Sequence, residues 1–384
     1  MSDKVKSKTI YFPGLNGIRA IAAMAVVISH ITLVLKDFGL DPNLFRQRVD
    51  GTQKGLMLAA YGVSIFFALS GFLITYLLQE EKDKGDINVR KFYLRRILRI
   101  WPLYYLYLLI SLGFIFIFGL GFNIQSFFYY LFYAANVPFI LSATLPFLAH
   151  YWSLGVEEQF YLFWPWVNKI TSRRIGLVIF ILIVIFMGIK LSVHFLFPNP
   201  LIEKALEITR FHCMMIGGLG AVLYKQRNAL FLKIVDNKIA QAVCWAMITL
   251  VAVGRFHFVT VIDTEIISSV AVCIIIGQIG VKNRLINLEV KALDFLGKIS
   301  YGIYVIHPLL IFLFAKAVVN IQLPAGPKLI FVYLSIITIT IFIAHLSYKY
   351  FEKYFLNIKK KFVVVQSSPT KYFDPVSPAE VLKK

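Results

Sequence analysis

Two adjacent carboxylates, Glu157 and Glu158, lie within a run of mostly aromatic and aliphatic residues, His150-Tyr-Trp-Ser-Leu-Gly-Val-Glu-Glu-Gln-Phe-Tyr161. An ionised carboxylate at the centre of a bilayer costs roughly 2.5 kcal/mol or more, so it needs a partner or a water-filled cavity. On a helix, His150, Ser153 and Glu157 share one face, while Glu158 points about 100° away. The pair therefore indicates chemistry inside a membrane rather than packing.

A histidine, His30, closes the apolar run of residues 18–30. At a rise of about 1.5 Å per residue it lies roughly 20 Å from the start of its helix, which matches the depth of Glu157 and Glu158 counted from the other side. A neutral imidazole beside such acids can act as a general base. The alternative is a packing histidine that bonds a carbonyl oxygen, and the shared depth favours the base.

Three arginines, Arg95, Arg96 and Arg99, cluster where the next apolar run begins. Because Arg99 follows the other two by four and three residues, the guanidinium groups fall on one arc of a helix. Guanidinium groups bind phosphates through paired hydrogen bonds, which suits a polyphosphorylated ligand arriving from the cytoplasm. Anchoring beside anionic lipid headgroups is the competing interpretation.

A late segment, residues 297–308, contains Tyr301 and His307. His307 lies about two turns into a predicted span, too shallow to reach the level of Glu157 by itself. A structural role before Pro308 competes with a catalytic one. The cysteines lie in apolar segments without metal-ligand spacing, so no metal site is expected.

The composition indicates an all-α, polytopic membrane protein. Hydrophobic residues make up 59% of the chain of 384 residues and charged residues only 16%, against about 25% charged in a soluble domain. The net charge of +20 does not indicate a nucleic-acid partner, because the basic residues lie between the apolar segments rather than in one patch.

Apolar runs of suitable length predict about ten transmembrane helices. They lie near 15–35, 55–78, 97–119, 150–168, 175–197, 205–224, 239–259, 264–281, 300–318 and 328–350. Most Lys and Arg residues then fall on one side, which places both termini in the cytoplasm. Residues 120–149 are uncharged and aromatic, and we expect them to be re-entrant or interfacial. Residues 1–14 and 356–384 are expected to be cytoplasmic, the latter a disordered tail.

Four blocks in this order resemble acyltransferase family 3, a family of integral membrane O-acyltransferases. They are Leu15-Asn-Gly-Ile-Arg-Ala20 with His30, Arg95-Arg-Ile-Leu-Arg-Ile-Trp-Pro-Leu-Tyr-Tyr105, Tyr151-Trp-Ser-Leu-Gly-Val-Glu-Glu-Gln-Phe-Tyr161 and Ser300-Tyr-Gly-Ile-Tyr-Val-Ile-His-Pro308. Asn16 stands where the family usually has Asp, and an amide lacks the charge that would pair with Arg19. The resemblance identifies residues 15–355 as an acyltransferase transmembrane domain.

The resemblance implies delivery of an acyl group, commonly acetyl from acetyl-CoA, across the membrane to a hydroxyl of an extracytoplasmic carbohydrate, glycolipid or other acceptor. It implies His30 as the catalytic base and the three arginines as the site of the acyl-CoA phosphates. We expect Glu157 to orient His30 and Ser153 to bond the acid or the acceptor. The remaining expected site residues are Glu158, Asn16, Arg19, Trp152, Tyr301 and His307.

Two other functions fit the same residues. In a proton-coupled transporter or flippase, His30, Glu157 and Glu158 would form a proton relay. In a membrane scaffold the buried charges would have no chemical role. Either way the expected location is a membrane, the bacterial inner membrane, with lipids as neighbours. The sequence leaves open the acceptor, the acyl length, the oligomeric state and whether transfer passes through an acyl-enzyme.

Overall fold

The structure, a computed structural model, describes residues 10–41, 56–171, 174–259, 261–318, 320–365 and 367–368. These residues are almost entirely helical, as expected. The α-helices are α1 (Leu15–Leu33), α2 (Leu56–Asp83), α3 (Val89–Ile117), α4 (Ile124–Leu131), α5 (Asn136–Ile140), α6 (Trp152–Thr171), α7 (Ile175–Phe195), α8 (Pro200–Thr209), α9 (Phe211–Lys225), α10 (Ala229–Val235), α11 (Lys238–Ala252), α12 (Asp263–Gly280), α13 (Lys291–Lys298), α14 (Ser300–Val318), α15 (Ala325–Ser347) and α16 (Lys353–Lys359).

Eight helical stretches of the described residues are long and apolar enough to cross a membrane. They are Leu15–Leu33, Leu58–Asp83, Val89–Ile117, Ile175–Phe195, Pro200–Lys225, Asp263–Gly280, Ser300–Val318 and Ala325–Phe362. A ninth is obtained if α10 and α11, which are bent by 54°, form one span. The polytopic helical fold is thus confirmed, while the count of ten and the orientation of the termini stay predictions.

Residues 120–149 form no helix that could cross a bilayer. Their two helices, α4 and α5, have eight and five residues, whereas a crossing needs about 20. Tyr133, Ser142 and Phe147 adopt left-handed backbone conformations that turn the chain repeatedly. This geometry suits the expected re-entrant or interfacial segment.

Close contact between α2 and α9 forms the centre of the bundle. A Cβ atom on Gly71 would lie 1.9 Å from the carbonyl oxygen of Met214, and one on Gly217 would lie 2.0 Å from that of Ala68. Only glycine permits this approach, as at other interfaces of small residues between membrane helices. The contact fixes α2, which forms one wall of the site described below.

One group of charges inside the apolar helices is paired. Lys190 of α7 lies 2.7 Å from Glu265 of α12, whose carboxylate also lies 3.1 Å from the Nε2 atom of His212. Thr264 donates a hydrogen bond to the second oxygen of the same carboxylate at 2.9 Å. These contacts satisfy groups that would otherwise be costly in a membrane interior.

One end of the bundle joins α2, α3 and α6. Asp86, in the connection from α2 to α3, lies 2.8 Å from Lys169 near the end of α6 and 3.2 Å from Lys82 near the end of α2. The hydrogen bonds from these two lysines lower the pKa of Asp86 to about 2. The last turns of α2 and α6 therefore lie at the same end of the molecule.

The first part of the predicted disordered tail, residues 356–384, is ordered. After α15 a π-helical turn, Tyr348–Glu352, leads into α16, which packs against α3. Ser367–Ser368 then pairs in parallel with Ile10–Tyr11. Sequence composition did not predict this ordered structure, because the structure depends on contacts with distant segments. The rest of the tail, 369–384, lies outside the described residues.

Candidate active site

A cavity of about 1100 Å³ lies between α2, α3, α6 and α16. It follows α2 from Val63 to Glu81, a length of about 27 Å at the helical rise. Apolar side chains line it near Val63, including Phe66 and Phe67. Among the charged side chains of the wall, basic residues outnumber the two carboxylates Glu81 and Glu157; the basic residues are Arg19, Arg95, Arg96, Arg99, Lys298, Lys353, Lys359 and Lys360. The cavity can accept a long ligand with an anionic end and an apolar end.

The three predicted arginines have different environments. Arg96 and Arg99 line the cavity, and neither forms an ion pair within the described part of the chain. Arg95 instead is bound by Glu81 in a buried ion pair and donates a hydrogen bond to the carbonyl oxygen of Phe362 at 3.1 Å. Arg96 and Arg99 are thus available to a ligand, whereas Arg95 is already engaged by protein groups.

Arg19 is held by a relay that supplies the charge missing at position 16. Asn16 accepts a hydrogen bond from Arg19 at 3.0 Å and donates one to Asp294 at 2.8 Å. Asp294 also lies 3.2 Å from Lys298. The amide therefore connects Arg19 to a carboxylate on α13 that sequence reasoning did not identify, since nothing in the local pattern links α1 to α13.

The two adjacent carboxylates point to different neighbours. Glu157 lines the cavity and accepts hydrogen bonds from Ser70 and Tyr161. Glu158 accepts a hydrogen bond from the indole of Trp101 at 3.1 Å, on another face of α6. Neither carboxylate bonds His30. The expected contact between Glu157 and His30 is therefore absent, because the acid is turned toward α2 and Tyr161.

Ser153 bonds a tyrosine rather than the acid, which was one of the two partners expected for it. Its hydroxyl lies 2.5 Å from the hydroxyl of Tyr304 and donates to the carbonyl oxygen of His150 at 3.2 Å. It does not bond Glu157, which lies one turn farther along α6. Ser153 and Tyr304 together line the cavity.

His30 is bonded to a second histidine. Its Nδ1 atom lies 2.7 Å from the Nε2 atom of His307, and the Nδ1 atom of His307 lies 3.0 Å from the carbonyl oxygen of Ile303. A carbonyl can only accept, so neutral His307 is protonated on Nδ1 and accepts through Nε2. Neutral His30 must then donate through Nδ1. Its Nε2 atom is left with a free lone pair, as a general base requires.

His307 contacts His30 directly, although residue counting places His30 farther along its helix. Counting residues from each helix start assumes upright, parallel helices, and this contact shows that α1 and α14 do not meet in this way. Gly297 packs against the backbone of Asn16, which fixes the end of α13, just before α14, to the beginning of α1. Sequence alone does not reveal how helices incline to one another.

His30 lies beyond the apolar end of the cavity rather than in its wall. The ring of Tyr304 contacts Phe66 on one side and His307 on the other, at centroid distances of 6.1 Å in both cases. His307 in turn contacts His30 at 4.9 Å. Along these contacts, Tyr304 and His307 therefore lie between the cavity and His30.

The two remaining predicted residues, Trp152 and Tyr301, contact neighbouring segments around the site. Trp152 packs against the guanidinium of Arg210, whose carbon lies 5.3 Å from the ring centre. Tyr301, which lines the cavity, donates a hydrogen bond to the carbonyl oxygen of Ile100 at 2.7 Å and so ties α14 to α3. Within the described ranges, no group of three or more His, Cys, Asp or Glu side chains could hold a metal ion.

Comparison with known proteins identifies relatives that are named as O-acetyltransferases. The O-acetyltransferase OatA of Staphylococcus aureus strain NCTC 8325 / PS 47 is 27% identical over 369 residues, covering 89% of this chain and 57% of OatA. A protein of S. aureus strain COL, provisionally assigned as an O-acetyltransferase, is 28% identical over 378 residues, covering 90% of this chain and 57% of its own length. The chain thus spans little more than half the length of these relatives. No solved structure matches it significantly.

The family comparison covers most of the chain. Residues 12–348 match the acyltransferase domain family Acyl_transf_3, which confirms the resemblance drawn from the four sequence blocks. The match extends from the start of α1 to the end of α15 and contains His30, His307 and the arginines of α3. The chain belongs to the Acyl_transf_3 family of acyltransferase domains.

Proposed function

We propose that this chain is an integral membrane O-acyltransferase. It moves an acetyl group from cytoplasmic acetyl-CoA to a hydroxyl of an extracytoplasmic carbohydrate or glycolipid. The observation that carries this proposal is the long cavity whose charged lining is mostly basic and whose end near Val63 is apolar, and which Tyr304 and His307 separate from His30. The names of the S. aureus relatives support O-acetylation as the reaction.

The donor binds with its phosphates among the basic side chains. Arg96 and Arg99 are cations of α3 that line the cavity without an ion pair to any described residue, and Arg19 adds a third cation from α1. CoA carries a diphosphate and a ribose phosphate, which guanidinium groups bind well. Its thioester arm extends along α2 toward Phe66 and Phe67. Glu157 lies between these ends, where it offsets the charge of Arg19 and Arg99.

His30 serves as the general base. Its free Nε2 atom takes the proton of the acceptor hydroxyl as the oxygen attacks the thioester carbonyl, the carbon–sulfur bond breaks, and the proton passes to the CoA thiolate. His307 holds the tautomer and orientation of His30, the role first expected of Glu157. Tyr304 has to move aside for the thioester to reach His30, because its ring lies between the cavity and His307.

Ten crossings with both termini cytoplasmic fit the contacts. Pairing of Ile10–Tyr11 with Ser367–Ser368 brings both ends of the described chain together, which supports an even number of spans. The contact of Lys169 with Asp86 places the end of α6 beside the α2–α3 connection, which supports α6 as a crossing. Asp236 is bonded by Asn283 at 3.1 Å, which supports α11 as another. The bacterial inner membrane is the proposed location.

The transporter or flippase alternative is less well supported. A proton relay needs a continuous path of hydrogen bonds between His30 and the carboxylates. Glu157 is instead bonded to Ser70 and Tyr161, and His30 to His307. The described contacts leave these two groups unconnected.

Mass spectrometry of surface glycans and lipids tests the proposed reaction. Cells that produce the chain are compared with cells that lack it and with cells that produce His30→Ala. We expect an added acetyl ester only with the wild-type chain. A matched control, His345→Ala, changes a histidine of α15 that packs against Phe295 away from the cavity, and should keep the product. Acetylation by His30→Ala would contradict the mechanism.

A further inference from the structure

The cavity has one wall that the family blocks do not include. α16 packs against α3, and the segment after it continues along the cavity through Val363 and Val365. The carbonyl oxygen of Phe362 accepts a hydrogen bond from Arg95, which fixes this segment to α3. The C-terminal segment is therefore part of the cavity and not an appendage.

Lys359 at the end of α16 faces the same space as the α3 arginines. It is half-buried and lines the cavity. Arg96 and Arg99 are close enough to repel it electrostatically. It has no carboxylate partner among the residues that the structure describes. Like charges gathered in a partly enclosed space raise the free energy unless an anion joins them.

Anchoring to anionic lipid headgroups is the ordinary role of lysines at the end of a membrane helix. Such lysines extend toward the surroundings, as does the exposed Lys361 nearby in the chain. Lys359 differs because protein encloses it together with cations of α1 and α3. Its position suits a phosphate inside the cavity better than a headgroup outside.

We propose that Lys359 binds a phosphate of acyl-CoA opposite Arg96 and Arg99, so that the donor is held between α3 and α16. A compact ammonium group is a common phosphate ligand and complements the planar guanidinium groups across the cavity. This inference rests on the proposed function. It extends the donor site to a segment that lies after residue 348, beyond the family match.

Binding of CoA to the purified full-length protein in nanodiscs tests this inference. Lys359→Gln should raise the CoA dissociation constant about tenfold or more, the loss typical of one charge-assisted contact. Lys359→Arg should bind CoA nearly as well as wild type. The matched control, Lys361→Gln, removes the same charge two residues away and outside the cavity, and should change the constant less than twofold.

The possible failures are distinguishable. If wild type binds CoA and Lys359→Gln binds it equally well, this inference is overturned while the donor proposal stands. If wild type fails to bind CoA, and Lys359→Gln instead lowers retention of phosphatidylglycerol in the nanodisc, the lysine is a lipid contact and both proposals for this cavity fail. A thermal unfolding midpoint for each variant shows whether the comparison is between folded proteins.

Discussion

The hydrogen bond between His30 and His307 decides which nitrogen of His30 a substrate can use. The carbonyl of Ile303 fixes the proton of His307, and His307 fixes that of His30. A histidine that donates to another histidine needs no buried carboxylate as its acceptor, so Glu157 is free to lie among the arginines. These two contacts therefore determine which nitrogen of His30 can accept a proton.

Substitution of His307 tests this relation. In His307→Ala the His30 ring loses its acceptor, so the turnover number should fall about 10- to 100-fold, as for other orienting partners. The dissociation constant of CoA should stay the same, because His307 lies outside the donor cavity. His307→Gln can still accept through its side-chain oxygen and should recover part of the activity. Equal losses in Ala and Gln variants would argue against an orienting role.

At the scale of elements, α3 carries two kinds of arginine that a sequence pattern treats alike. Arg95 is bound by Glu81 and by the carbonyl oxygen of Phe362, just after α16, whereas Arg96 and Arg99 line the cavity without an ion pair among the residues described. The first therefore joins helices and the others are open to a ligand.

This division predicts opposite phenotypes. Arg99→Ala should raise the CoA dissociation constant about tenfold or more without lowering stability. Arg95→Ala leaves the carboxylate of Glu81 buried and unpaired, so the free energy of unfolding should drop by about 3–5 kcal/mol. The exposed Arg90 at the start of α3 offers a control, since Arg90→Ala should change neither quantity. Isothermal titration and thermal unfolding separate the two effects, and a stable Arg95→Ala protein would refute the assignment.

The close contact between α2 and α9 gives a second prediction at the scale of elements. Gly71→Ala places a methyl group against the backbone of Met214, which is less able to move than a side chain. We expect a loss of about 1–3 kcal/mol in the free energy of unfolding. Gly113→Ala on α3 meets nothing within 4 Å and should be neutral. Reactivity of the buried thiols, such as that of Cys213, reports unfolding during a thermal ramp. A Gly71→Ala midpoint equal to that of Gly113→Ala would contradict the close packing.

For the whole molecule, charge and hydropathy were enough to predict a helical membrane fold and most helix positions. Arg96 and Arg99 were also recognisable, because helical spacing relates them directly. Contacts between residues of distant segments could not be predicted from the sequence. The contact of His30 with His307, the relay from Asn16 to Asp294 and the position of Lys359 all depend on how helices incline and pack, which local spacing does not record.

Topology provides a prediction at this scale. If residues 120–149 do not cross the membrane, cysteines introduced at Asn123 and Asp236 lie on opposite faces. A membrane-impermeant thiol reagent added to intact cells should label Asn123→Cys only, and Asp236→Cys only after the membrane is opened. The native cysteines are buried and give a low background. Labelling of both positions from one side would require an even number of crossings between them, one more or one fewer than the three proposed.

Sidedness of the reaction tests the central claim most directly. The protein is reconstituted in oriented vesicles with acetyl-CoA on the cytoplasmic face and a hydroxyl acceptor, drawn from the glycans that mass spectrometry identifies, sealed on the other face. The account predicts an acetylated acceptor inside the vesicle, CoA released on the side where acetyl-CoA was added, and neither product with His30→Ala. Acetylation that occurs only when donor and acceptor share the cytoplasmic face would contradict transfer across the membrane.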